Sequence, residues 1–150
     1  MPFLKLSRDK RLRRLRWVMV GTVLFDHLST ILGQPASYWQ NPETAQEMNR
    51  GAHYFLARGL SAYLLFTLIT VGFLFCLVSV LPRTMGLIIA FMVILIRYRA
   101  ASSWLCYQTD LGLNGPLIYG IILSVLVVLL VFPTNSEASR EKALLGKSDT

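Results

Sequence analysis

The chain has 150 residues, of which 15% are charged and 54% hydrophobic, with a mean hydropathy of +0.52. A soluble domain carries roughly 25% charged residues, so an ordinary soluble fold is excluded. The formal net charge is +7, but eleven of the fifteen basic residues fall before residue 17, at Arg83, or after residue 139. A membrane chain with positive loops on one side explains that distribution and leaves no need for a nucleic-acid partner.

In chain order, residues 1–16 form a basic segment holding Lys5, Arg8, Lys10, Arg11, Arg13, Arg14 and Arg16, suited to anionic lipid headgroups. Ser7 is placed to cap a helix that runs into the first apolar segment. That segment begins at Trp17 and stops at Gly33-Gln34-Pro35. Asp26-His27 interrupts it and no A-x-A site follows, so it reads as a retained helix and not as a cleaved signal. The loop 34–58 has helical character in its middle: Asn41 suits an N-cap, Pro42 the first helical position and Gly51 the end. On such a helix Glu43 and Glu47 share a face, and Arg50 follows Glu47 by three.

Leu60–Leu81 carries no charge over 22 positions, and Pro116–Phe132 none over 17. Met85–Ile96 is purely apolar and continues past Arg97-Tyr98-Arg99 to Tyr107. A spanning helix needs about 20 apolar residues. The expected fold is therefore all-α: a four-transmembrane-helix bundle with both termini cytoplasmic and a short helix in the first outer loop. Its spans are 17–33, 59–81, 85–107 and 116–132, followed by a polar cytoplasmic tail, 133–150. Tyr38, Trp39, Tyr54, Phe55, Trp104, Tyr107 and Tyr119 map to the outer interface and Trp17 to the inner one. Cys76 and Cys106 fall at different depths, which argues against a disulfide.

Charge inside the apolar segments selects the candidate site. Thr22, Asp26, Ser29, Thr30 and Gly33 share one helix face, which should turn into the bundle and away from lipid. Asp26 lies roughly 14 Å along the helix from Trp17, and Arg97 roughly 18 Å from Met85, so the two fall within reach of each other. Arg99 projects about 200° from Arg97 and belongs to another face, free to reach outward or toward Glu47. His27 points about 100° away from Asp26. The expected polar cluster is Asp26, Glu47, Asn49, Arg97 and Arg99, with His27, His53 and Asp110 as secondary candidates. A buried Asp–Arg pair can serve only to fix helix register, and Ala100-Ala101-Ser102-Ser103 suits close helix packing. No H-E-x-x-H or H-x-x-E-H spacing occurs, and the reading assigns no metal, no cofactor and no catalytic residue.

Two resemblances bear on these residues. Asp26-His-Leu-Ser-Thr-Ile, Tyr38-Trp39-x-Asn-Pro42 and Glu47-Met-Asn49 resemble a pattern in small uncharacterised bacterial four-helix membrane proteins, with Arg50 where that pattern has proline. The likeness covers the first third of the chain; it implies the bacterial cytoplasmic membrane and no known activity. Asp26-His-Leu-Ser-Thr and Asn49-Arg-Gly-Ala-His-Tyr-Phe are also similar to early elements of signal peptidase II, a four-span aspartic protease. Its G-N-x-x-D-R and F-N-x-A-D motifs, which supply the two carboxylates, are absent from this sequence. The sequence thus points to a non-catalytic accessory or scaffold subunit with a membrane-protein partner, or a small binding module. A membrane hydrolase and a small ion or solute carrier are the rivals.

Overall fold

The computed structural model describes residues 10–107 and 111–131. Five α-helices occur among them: α1 (Lys10–Leu32), α2 (Arg50–Leu56), α3 (Leu60–Val80), α4 (Arg83–Tyr107) and α5 (Asn114–Val131), with one 3-10 turn at Pro42–Thr44. No strand occurs among the described residues. Arg11–Leu32, Leu60–Val80 and Arg83–Cys106 are long and apolar enough to cross a membrane, which marks this as a membrane protein. The apolar stretch in α5, Asn114–Leu129, is shorter than these three.

The helices bury little of their apolar surface against one another. Leu64, Leu65, Leu68, Ile69 and Phe73 of α3 and Ile88, Met92, Leu95 and Ile96 of α4 all stay exposed. In water that pattern would aggregate; in lipid it is the ordinary outer surface of a span. The buried positions cluster on α1, which packs against α3, α4 and α5. Near the Lys10 end, Leu12, Leu15 and Met19 meet Val78, Ala90 and Ile94 in one apolar cluster. Near the other end, Tyr38, Ala45, Ala52, Leu56 and Tyr63 form a second one. Burial pushes the Tyr38 phenol above its ordinary pKa.

The basic run is helical, in keeping with a helix that runs into the first apolar segment: α1 already includes Lys10. One of its residues departs from expectation. Arg11 and Arg13 are exposed, but Arg16 is buried, stacked over the Phe75 ring, and donates from Nη1 to Ser79 Oγ. Arg16 falls in phase with Leu12, Leu15 and Met19 on the packed face, and helical phase outweighs the charge of the residue type. Residues 1–9, with Ser7, and the tail beyond residue 131 lie outside the described residues.

The loop 34–58 also differs. Asn41 does cap: its Oδ1 accepts from Glu43 N–H, and Pro42 follows. Only one turn forms, however, and α2 starts afresh at Arg50 with Asn49 as its N-cap. Gly51 therefore stands in the first turn of a helix and not at the end of one. The reason is Gln34. Its side-chain amide donates to Gln46 O at 2.9 Å and accepts from Gln46 N at 2.8 Å. A residue whose backbone donor and acceptor are both taken by another side chain cannot continue a helix. Gly59 then turns the chain into α3 at φ +105°, a conformation open mainly to glycine.

Cys76 and Cys106 are both free, as the difference in depth requires. The aromatic residues are less uniform than a belt. Trp17, Trp39 and Tyr54 are exposed, whereas Tyr38 is buried in the second apolar cluster.

Candidate functional site

The polar face of α1 lies between the two apolar clusters. Thr22, Asp26, Ser29 and Thr30 are all buried, and Gln34 continues the same face one turn beyond Thr30. Three of these residues satisfy themselves within the helix. Thr22 Oγ1 donates to Val18 O, Ser29 Oγ to Phe25 O and Thr30 Oγ1 to Asp26 O, each to the carbonyl four residues earlier. Asp26 has no such local solution, because a carboxylate can only accept. Arg97 Nη1 supplies the proton at 2.8 Å from Oδ2, across 71 residues of chain. The side chains are 6% and 23% exposed, so the pair is desolvated on the Asp side and open on the Arg side.

That open side is a chamber of about 450 Å³. Asp26, His27 and Thr30 of α1, Tyr63 and Phe66 of α3, and Arg97, Ala100, Ser103 and Trp104 of α4 form its walls. The loop segment Gln46–Asn49, with Ala52, roofs it. The volume falls within the roughly 300–1,000 Å³ typical of small-molecule sites. A second hollow, about 520 Å³, lies between α1 and α5 and is lined by apolar side chains with Thr22 and Tyr119. It carries no charged side chain, so charge chemistry singles out the first.

The roof is held by three contacts, each with a stated partner. Gln34 clamps Gln46, as described above. Glu47 Oε1 accepts from Asn49 N–H at 2.8 Å. Asn49 Oδ1 in turn accepts from Gly51 N and Ala52 N at 2.9 and 3.3 Å, fixing the first turn of α2. Asn49 is therefore a helix cap at the chamber edge.

His27 is buried at 2% exposure between the Tyr63 and Phe66 rings, with centroids 5.2 and 5.7 Å away. Its Nδ1 lies 2.9 Å from Thr67 Oγ1. Thr67 Oγ1 also bonds Tyr63 O at 2.9 Å, and a hydroxyl has one proton to give. The carbonyl can only accept, so the Thr67 proton goes there and Nδ1–H donates to the hydroxyl. Nε2 is then a bare lone pair, and it has no hydrogen-bond partner.

Of the residues expected at the site, Asp26, Glu47, Asn49, Arg97 and His27 all line the chamber. Arg99 and His53 do not. Arg99 is exposed on the opposite face of α4, and His53 sits half-buried in α2. Arg99 is therefore not a member of the cluster; the helical turn between it and Arg97 forbids that. Asp110 lies outside the described residues. No group of three His, Cys, Asp or Glu side chains that could hold a metal ion occurs among the described residues. Tyr63, Phe66, Trp104 and Gln34 join the site without a place in the expected cluster. Only Gln34 carries a readable signal, eight residues after Asp26 on the same helix face.

No family model, no curated protein and no solved structure matches the chain.

Proposed function

We propose that the chain is a non-catalytic, four-span protein of a bacterial cytoplasmic membrane with both termini inside, working as a binding module whose chamber opens outward. The observation that carries this reading is the chamber itself. It is of ligand size, roofed by the 34–58 loop, and based on a charge pair that no lipid-facing surface would require. The fourth span is α5, whose 18 residues rise roughly 27 Å, close to a hydrocarbon thickness of about 30 Å. The basic residues Arg11, Arg13 and Arg14 then face anionic headgroups at the inner surface.

A hydrolase would need two carboxylates sharing one water or proton. Here Asp26 Oδ2 is paired with Arg97 and Glu47 Oε1 with a backbone N–H, and the two carboxylates share no hydrogen bond among the described residues. A second reading, an accessory subunit of a larger membrane complex, is favoured by Arg99. That guanidinium is exposed on α4 roughly 12 Å from the helix end, where an acidic residue on a partner helix would relieve its cost in lipid.

Topology is checked with reporters. A fluorescent protein fused to either terminus should fold and emit in the cytoplasm. Ser37→Cys, in a Cys76→Ser/Cys106→Ser background, should react with a membrane-impermeant thiol reagent added outside. A cysteine at position 37 that reacts only in inverted vesicles contradicts the orientation.

A further inference from the structure

The chamber's ligand is written in its unfilled hydrogen-bond capacity. The inference rests on the binding-module reading above. Asp26 uses Oδ2 for Arg97, and Oδ1 has no hydrogen-bond partner among the described residues. Glu47, half-buried at the roof, uses Oε1 for Asn49 N–H, which leaves Oε2. These are two acceptors, both anionic. Against them stands one guanidinium, Arg97, with a nitrogen already committed to Asp26. Asp26 and Glu47 contribute −2 and Arg97 +1, so the charged side chains of the wall sum to −1. Most of the remaining wall is apolar, with Phe66, Tyr63 and Trp104 presenting aromatic surface.

A guest that satisfies this wall must donate hydrogen bonds, carry positive charge and bring an apolar body. We infer that the chamber binds a primary ammonium group attached to an apolar or aromatic body, its N–H groups directed to Asp26 Oδ1 and Glu47 and its body against Phe66 and Trp104. An ammonium offers three donors and attracts aromatic faces, and a desolvated carboxylate–ammonium contact is stronger than a neutral one. The same chemistry occurs in a soluble amine and in the aminoethyl headgroup of an outer-leaflet phospholipid.

The test uses the full chain in phosphatidylcholine nanodiscs. Trp17→Phe and Trp39→Phe leave Trp104 as the one tryptophan of three, a reporter inside the chamber wall. Its emission is titrated with 2-phenylethylamine, 2-phenylethanol and 3-phenylpropionate. The amine should give a saturable change, and the alcohol and the carboxylate should bind about tenfold more weakly or worse, as loss of a charge-assisted hydrogen bond implies. Glu47→Gln, a loop change outside the helix core, should weaken the amine by a similar factor of about ten and leave the alcohol unchanged. Asp26→Asn should do the same where the bundle still folds.

If the propionate binds as tightly as the amine, or Glu47→Gln leaves amine affinity unaltered, the ammonium assignment fails while the chamber remains a binding site. If no probe saturates, both readings fail. Nanodiscs containing phosphatidylethanolamine separate the sources: a reduced apparent amine affinity identifies the lipid headgroup as the competitor, and an unchanged one identifies a soluble amine.

Discussion

Asp26→Asn should destabilise the bundle by about 3 kcal/mol, because it leaves Arg97 facing a neutral amide in a largely desolvated site. Arg97→Gln should cost a similar amount by stranding the carboxylate, which is only 6% exposed. The two together should cost clearly less than the sum, since the double variant strands neither charge. The coupling should exceed about 1 kcal/mol, above the scatter of independent sites. Unfolding of the four proteins in one detergent, by denaturant or temperature, measures it. Strict additivity would mean that the 2.8 Å contact carries no energy and that the charges are solvated separately.

Gly33→Val should be the second most damaging single change, at about 3 kcal/mol, the upper part of the range for overpacking. A Cβ at position 33 would overlap Trp104 Cε3 and stand 2.9 Å from Cζ3. It would also press on Ser29 O at 3.1 Å, which belongs to the helix backbone and cannot swing aside. The Trp104 ring must move, and that ring is part of the chamber wall. Loss of stability should therefore come with a shift in Trp104 emission. Gly21→Val, at a helix position with open space around it, is the control and should leave both unchanged. A Gly33→Val protein as stable as the parent, with unshifted emission, would show that the close approach of α1 to Trp104 is not real.

How far the site was legible follows from what each residue does. Asp26 announces itself because an ionised group in an apolar run needs a reason, and 3.6-residue spacing puts Thr22, Ser29 and Thr30 beside it. Arg97 stands out for the same reason, and the rise per residue puts the two at compatible depths. The rest of the wall had no such signal. Tyr63, Phe66 and Trp104 are aromatic residues in apolar helices, where lipid contact, core packing and cavity lining look identical in sequence. The roof is ambiguous in sequence because Asn41 and Asn49 are both capable caps. What decides between one longer helix and two short ones is the Gln34 side chain, twelve residues away from its backbone partner at Gln46. By composition Arg16 belongs to a basic run suited to lipid headgroups, whereas its place in the helical repeat buries it.

The all-α fold and the three long apolar helices needed only composition and run length. Their packing around α1 needed the pattern of small contacts that composition does not carry. Ala90, Ile94, Arg97 and Ala101 form the α4 face that approaches α1, and only Arg97 in that set stands out when read as a letter.

The central claim is that the Asp26–Arg97 pair forms the base of a chamber reached from outside the membrane. Ser103→Cys places a thiol on the chamber wall, and Ile96→Cys places one on the exposed apolar face of α4, both in the Cys76→Ser/Cys106→Ser background. The decisive measurement is the rate at which each reacts with a charged, membrane-impermeant thiol reagent in sealed right-side-out and inverted vesicles. The account predicts that position 103 reacts from the outside alone and that position 96 stays unreactive from both sides. A thiol at 103 that is inert from outside, or reactive only in inverted vesicles, would contradict it.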